Sequence, residues 1–283
     1  MSREQRAARP GDAPFTERTP RVVAARRLTR RAGRERAGRF LAEGAQAVGE
    51  ALVWAGAGRG RVHELFTTAE ATERHPELVS AARAARVPVS TVTDRAAAAL
   101  SETVTPQGLV AVCDPVDVPL STALRGKPRL VAVLVGVSDP GNAGTVVRVA
   151  DAAGADAVVF AGDTVDPHNG KCVRATTGSL FHLPLSRERD VPAVFDACRA
   201  AGLRLVAADG NAETDLDAAG EYGDLLRSTA WVFGSEAHGF DPAVLGAVDD
   251  AVRVPLYGAA ESLNLATAAA VCLYTSARAL RGR

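Results

Sequence analysis

The sequence predicts an α/β protein in two parts: a small N-terminal α/β unit and a larger C-terminal unit built on a mostly parallel sheet. Three observations carry that expectation. Short apolar runs alternate with helical stretches along most of the chain, the pattern of βα units. Leu130 to Val135 is a continuous apolar run, as expected for a strand covered on both faces. Between the halves, Asp114 to Pro128 holds Pro115, Pro119, Pro128 and Gly126, residues that interrupt regular structure. The expected divisions are a disordered basic tail over 1–24, an N-terminal unit over 25–115, a linker over 116–128 and the C-terminal unit over 129–283.

In order along the chain, residues 1–24 mix Arg, Pro, Gly and acids without periodicity, a composition that does not bury a core. A basic helix is expected from Leu28 through Arg30–Arg36. A strand follows at Arg39-Phe40-Leu41-Ala42-Glu43, then a helix from Ala45 to Trp54. Leu65-Phe66-Thr67-Thr68 reads as a strand, and Pro76 to Ala85 as a helix with proline in its first turn. Val87 to Val92 and Gly108 to Cys113 complete the first unit as strands. In the second unit a Gly/Asn loop follows Leu130–Val135, and a helix runs to Ala153. Further strands are expected at Ala157–Ala161, Leu203–Ala208, Ala230–Phe233 and Val252–Val254, and a small-residue helix over Ser262–Leu280. No internal repeat of solenoid type is present.

Formal charge is zero over the 283 residues, but it is unevenly spread. Residues 1–40 hold twelve arginines against four acids (Glu4, Asp12, Glu17, Glu35), a net +8, so the remainder carries −8. Such asymmetry points to a polyanionic partner for the basic end; a solvated tail in an arginine-rich chain has the same composition. Cys113, Cys172, Cys198 and Cys272 are widely spaced. They suggest buried thiols rather than a disulfide framework or a zinc site, so no metal is expected. The polar N-terminus lacks the apolar core of a signal peptide, and no apolar run is long enough to span a bilayer. A cytoplasmic protein without membrane contact is expected.

Three loops, each at the C-terminal end of an apolar strand, stand where parallel sheets bind ligands. The first, Gly136 to Arg148, contains Asp139-Pro140-Gly141-Asn142-Ala143-Gly144. Its glycines permit close backbone approach, Asn142 can bridge loop groups, and Arg148 carries a planar fork suited to phosphate. A plain loop-to-helix cap would look the same. In the second, the strand through Phe233 runs into Gly234-Ser235-Glu236-Ala237-His238-Gly239. Two glycines there suit backbone contact with a planar ligand, and Glu236 can accept from a ribose hydroxyl or pin the adjoining loop. His238 has no specified partner and is read as a bystander. The third, Pro255 to Asn264, places Ser262 and Asn264 at a helix start, where unpaired N–H groups favour anions or a serine simply caps the helix. A dinucleotide dehydrogenase is the rival reading. The first loop gives Gly-x-x-Gly at Gly141 and Gly144 rather than the G-x-G-x-x-G that rival needs.

Taken together, in this order, the loops resemble the SpoU family of RNA ribose methyltransferases in the SPOUT superfamily, over about residues 129–283. Asn142, Gly144 and Arg148 stand where that family's first motif has Asn, Gly and Arg. Gly234, Glu236 and Gly239 match its second motif, and Pro255, Gly258, Ser262, Leu263 and Asn264 its third. The N-terminal part is similar to the small substrate-binding domain of many SpoU proteins, through the basic helix, Arg39 to Gly44 and Thr105-Pro106-Gln107-Gly108.

The resemblance implies a trefoil knot near the C-terminus, an exception to the rule that chains are unknotted. It implies S-adenosylmethionine (S-adenosyl-L-methionine) as cofactor, held by groups of Phe233, Gly234, Gly239, Val254, Leu256 and Leu263. It implies a homodimer, for which the small-residue helix Ser262–Leu280 is the interface element. The reaction implied is 2′-O-methylation of structured RNA, ribosomal RNA first and transfer RNA second. A narrower form is an enzyme that shields the ribosome from an antibiotic. An RNA-binding assembly factor that has lost activity on the same fold is the alternative from another class. Arg148, Asn142, Glu236, Ser262 and Asn264 are the implied catalytic set, and Arg30, Arg31, Arg34, Arg39 and Arg148 the expected RNA contacts.

Overall fold

The computed structural model describes residues 13–221, 227–235 and 239–282. The chain divides into two compact units between Pro115 and Val116.

The first unit contains, in order, α1 (Pro20–Arg26), α2 (Arg31–Ala37), β1 (Phe40–Glu43), α3 (Ala45–Gly56), β2 (Val62–Thr67), α4 (Ala69–Arg74), α5 (Pro76–Ala84), β3 (Val89–Thr91), α6 (Asp94–Ala99) and β4 (Leu109–Cys113). Its four-stranded sheet has the order β1-β4-β2-β3, antiparallel except for the β2–β3 pair. The expected disorder over 1–24 is corrected within its described part. Phe15 pairs beside β3, its N–H donating to the Thr91 carbonyl at 2.8 Å. α1 begins at Pro20, which fits a first helical turn. Val22, Ala25 and Leu28, three residues apart, bury together against Phe66 and Val110 of the sheet. The basic stretch is two short helices joined by a 3-10 turn at Arg27–Thr29.

The second unit contains α7 (Leu120–Ala123), β5 (Leu130–Val135), α8 (Pro140–Ala153), β6 (Ala157–Ala161), α9 (Gly170–Thr176), β7 (Leu185–Glu188), α10 (Val191–Ala200), β8 (Arg204–Ala208), β9 (Thr214–Asp215), α11 (Leu216–Glu221), β10 (Thr229–Phe233), α12 (Pro242–Leu245), β11 (Asp250–Arg253) and α13 (Leu265–Leu280). Its seven described strands are ordered β7-β6-β5-β10-β8-β11-β9, and every pairing is parallel. β5 and β10 lie at the centre and are buried almost throughout, as continuous apolar runs require. Trp231 on β10 is fully buried, and its indole N–H donates to Ser276 Oγ on α13 at 2.9 Å. That bond satisfies a buried donor and pins α13 to the sheet.

Residues 116–128, expected as a linker, belong to this unit. Val118 N–H donates to the Leu185 carbonyl at 2.8 Å, and Ala123 and Leu124 enter the core against Val194 and Phe195. β7 and β9 were not expected, because both are short and carry charge (Arg187 and Glu188 in one, Asp215 in the other). The four cysteines are buried and unpaired, and burial pushes the Cys198 and Cys272 thiols up to about 12. They are inert thiols at neutral pH.

Candidate active site

The site is built where β5, β8, β10 and β11 end, the side of a parallel sheet on which ligands bind. After β5, Gly136 turns the chain with a left-handed φ of +64°. Asp139 then caps α8, its Oδ1 accepting the Asn142 N–H at 2.8 Å, and Pro140 occupies the first turn. Lys171 Nζ donates to Asp139 Oδ2 at 2.6 Å. That bond first, with the Asn142 N–H second, holds the Asp139 carboxyl below the usual carboxylate range. One turn on, Gly144 is dictated by packing. A Cβ there would lie 2.4 Å from the Cys172 carbonyl oxygen and 2.7 Å from the Ala175 methyl, so α8 and α9 meet at backbone distance.

After β10, Gly234 lies against the return of its own loop. A Cβ would lie 2.9 Å from the Gly239 carbonyl oxygen and 3.0 Å from the Phe240 ring. Ser235 and Gly239 exchange two backbone hydrogen bonds of 3.1 and 3.0 Å, so the loop closes on itself. Glu236 and His238 lie outside the described residues.

After β11, the chain passes through Val254 and Pro255 to Asn264, which is the N-cap of α13. The expected helix start at Ser262 is corrected to Leu265, because the Asn264 side chain is the acceptor for the first free N–H groups. Its Oδ1 accepts from Ala266 and Thr267 N–H at 2.9 and 3.3 Å, and its Nδ2 donates to Asn142 Oδ1 at 3.0 Å. One amide therefore caps a helix and ties the first loop to the third.

These loops enclose a cavity of about 760 Å³, within the size range of small-molecule sites. Of the residues singled out in the sequence, Asn142, Gly234, Gly239 and Val254 line it, as do Leu256, Ser262, Leu263 and Asn264. Phe233 does not: its ring is buried and stacked on Trp231 with centroids 6.4 Å apart. Arg148 is also absent from the wall. It lies on the exposed side of α8, about 9 Å along the helix from Asn142, and its Nη1 donates to Thr177 Oγ1 at 3.3 Å.

A fourth element was not foreseen. Ala208 ends β8, Asp209 and Gly210 follow it, and all three line the same cavity. Ala208-Asp209-Gly210-Asn211 is itself a Gly/Asn turn at a strand end, so the rule that found the other three loops applied here too. At the mouth, Arg253 grips Asp215 with two bonds of 2.5 and 3.2 Å, and Tyr257 donates to Asp217 at 3.0 Å. The guanidinium's hydrogen bond holds the Asp215 carboxyl low, and the hydrogen bond to Asp217 raises the Tyr257 hydroxyl. Tyr257 is 87% exposed, so its ring stands out at the rim.

Among the arginines expected to meet RNA, Arg34 is corrected. It is 6% exposed, and its Nη1 donates to the Leu28 and Thr29 carbonyls at 3.1 Å each, which makes it a brace for the turn before α2. Arg30 and Arg39 are exposed. Arg31 is exposed and pairs with Glu35 at 2.9 Å.

A parallel sheet with a cavity of this size, walled by glycine- and asparagine-bearing loops at its strand ends, defines an α/β protein with a site of small-molecule dimensions. The chain belongs to the SpoU rRNA Methylase family, which matches residues 129–274, and residues 19–111 match the MRM3-like substrate binding domain. It is 40% identical over 185 residues to the 23S rRNA (guanosine(2553)-2'-O)-methyltransferase RlmP of Bacillus subtilis, covering 65% of this chain and 70% of that one. An uncharacterized tRNA/rRNA methyltransferase of Synechocystis is 33% identical over 262 residues, 92% of this chain and 91% of its own. The SpoU methyltransferase AviRb from Streptomyces viridochromogenes, solved in complex with the cofactor AdoMet, aligns with a TM-score of 0.78 at 29% identity, covering 93% of this chain and 100% of that one. The family resemblance carried by the loops therefore holds, and the dehydrogenase reading falls.

Proposed function

We propose that this chain is an S-adenosylmethionine-dependent methyltransferase acting on a ribose 2′-oxygen of ribosomal RNA, with 23S rRNA as its substrate. The observation that carries the reading is the Asn142–Asn264 hydrogen bond, which joins two motif loops at the wall of one cavity. The name of the Bacillus subtilis relative supports the RNA class.

The cavity fits the cofactor by the chemistry of its wall. Gly234 packs its backbone against the Phe240 ring at the wall, Val254, Leu256 and Leu263 supply apolar contact, and Asp209 offers a carboxylate to hydroxyl or ammonium groups. Gly239 completes the turn, and the main chain of Phe233 leads into it. When bound, S-adenosylmethionine supplies a methyl group on a positively charged sulfur. The chain's task is then to hold the 2′-oxygen in line with that methyl. Asn142, fixed by Asn264, orients the ribose, and Ser262 with Asn264 shapes the pocket around the methyl. Arg148 presents a planar, positively charged fork of donors. It clamps an RNA phosphate and stabilises negative charge growing on the 2′-oxygen as its proton leaves.

Arg30, Arg31 and Arg39 give the N-terminal unit sequence-independent phosphate contacts. A homodimer belongs to the same reading. It is supported by Val271 and Tyr274, which stand 37% and 46% exposed on α13, and by the position of Arg148 outside the cavity wall of a single copy. A trefoil knot near the C-terminus belongs to the same reading and rests on membership of the family alone. The reading places the protein in the cytoplasm with the RNA it modifies.

The test is transfer of labelled methyl from S-adenosylmethionine to unmodified 23S rRNA and transfer RNA transcripts, followed by nuclease digestion. A 2′-O-methyl nucleoside from 23S rRNA, lost in Arg148→Ala while cofactor affinity stays near normal, is expected. Transfer to tRNA alone would replace the substrate. No transfer to either transcript, with tight binding of RNA and cofactor, would favour an inactive assembly factor.

A further inference from the structure

Three described residues other than glycine adopt a left-handed backbone: Arg86, Lys127 and Thr177. Thr177 alone of these is β-branched, the side-chain class least tolerant of positive φ. It closes α9 at φ +50° and ψ +41°, with its N–H on the Arg174 carbonyl. Helices usually end this way on glycine, and the next residue, Gly178, is one. Helix termination therefore gives no reason for a threonine at this position. Its hydroxyl does, since Oγ1 accepts the Arg148 Nη1–H at 3.3 Å.

Two further features make that contact suited to aiming a guanidinium. The first is rigidity. Gly144 brings α8 within backbone distance of Cys172 and Ala175 on α9, so the end of α9 has a fixed place beside Arg148. The second is charge. A hydroxyl restrains arginine without neutralising it, whereas a carboxylate would compete with an RNA phosphate for the same donors. Asp151, the acid one turn further along α8, has its Oδ2 engaged by His182 Nδ1 at 2.7 Å.

We propose that Thr177 is a positioning residue, kept in a costly backbone conformation because its hydroxyl sets the direction of the Arg148 guanidinium. The inference rests on the reading of Arg148 as the group that meets the RNA. An arginine loses considerable rotamer freedom when it engages a phosphate, and a residue that orders it beforehand lowers the barrier rather than only the binding constant.

The experiment compares wild type, Thr177→Ser, Thr177→Gly and Arg148→Ala as full-length protein, with S-adenosylmethionine and an unmodified 23S rRNA transcript. It measures kcat, KM for each substrate and the thermal midpoint. Thr177→Ser keeps the hydroxyl and retains kcat within about twofold of wild type. Thr177→Gly relieves the left-handed backbone, so its midpoint does not fall, yet it loses about tenfold in kcat, the scale of one hydrogen bond to a charged group. KM for S-adenosylmethionine stays unchanged in both. Wild-type kcat in Thr177→Gly with an inactive Arg148→Ala would overturn the role of Thr177 and leave that of Arg148 standing. Undiminished turnover in Arg148→Ala would overturn the reading on which the inference rests. A loss in Thr177→Gly that follows a lowered midpoint, or that Thr177→Ser shares, would make Thr177 structural and overturn the proposal.

Discussion

Asn264 performs two tasks with one amide, and substitutions can separate them. Its Oδ1 caps α13 through Ala266 and Thr267, while its Nδ2 bonds Asn142 on α8. Loss of an N-cap costs about 1 kcal/mol, and a solvent-exposed amide–amide bond contributes about 0.5–1 kcal/mol. Asn264→Ala therefore destabilises the second unit by about 1.5–2 kcal/mol, a drop of roughly 3–8 °C for a unit of this size. Asn264→Asp keeps the cap, with added attraction to the positive end of α13. It loses the donor to Asn142 unless that amide turns to donate, so its cost is at most about 1 kcal/mol. Asn142→Ala removes the shared bond from its other end and leaves the α13 cap in place. The double-mutant cycle of Asn142→Ala and Asn264→Ala, read by calorimetry of the full chain, yields a coupling of about 0.5–1 kcal/mol. A coupling near zero, with cofactor affinity unchanged in both single variants, would refute the claim that this bond joins the two loops.

Other perturbations follow from the same geometry. Gly144→Ala forces a methyl to within 2.4 Å of the Cys172 carbonyl oxygen, and thermal unfolding should show a loss of about 1–3 kcal/mol; an unmoved midpoint would mean that α8 and α9 separate freely. The depressed Asp139 carboxyl contributes stability that is present above the unfolded value of about 3.9 and is lost as pH falls through its lower folded value. Asp139→Asn, which still caps α8 but gives up its charge, should flatten the acid limb of a urea-stability profile below about pH 4. Arg34→Ala takes this donor from the buried Leu28 carbonyl and the half-buried Thr29 carbonyl and should lower the stability of the first unit. Arg39→Ala should leave stability alone, weaken RNA binding and reduce the salt slope by about 1; the opposite assignment of effects would reverse the roles given to these arginines.

The site was legible in the sequence to the extent that local backbone demands reveal it. Glycines, an Asp-Pro start and Asn-bearing turns at the ends of apolar strands state where a chain must bend and leave amides open. Asn142, Gly234 and Asn264 were visible for that reason. What stayed hidden depends on where a side chain finds its partners. Arg34 and Arg39 are alike as letters, yet one bonds two carbonyls beneath a turn and the other faces water. The expectation for residues 116–128 failed similarly. Pro119, Pro128 and Gly126, with Pro115 just ahead of them, obscured Ala123 and Leu124, whose burial depends on α10, about seventy residues later. Asp209 carries the same local signal as the other loops, a Gly/Asn turn after an apolar strand. The partnership of Thr177 with Arg148 had no local signal, since a left-handed threonine is visible only once the backbone is known.

The place of β10 between β5 and β8 also bears on how the protein is made. Thr229 pairs with Leu130, about a hundred residues earlier, and a ribosome adds roughly 5–20 residues per second. For about 5–20 s during synthesis, β5 can pair with β6 but has an open edge where its other neighbour belongs. That edge is a wholly apolar strand, Leu130 to Val135, and such strands stick to one another. While it is being translated, the nascent chain therefore depends on slow neighbours or on chaperones to keep this slot empty until its own strand arrives.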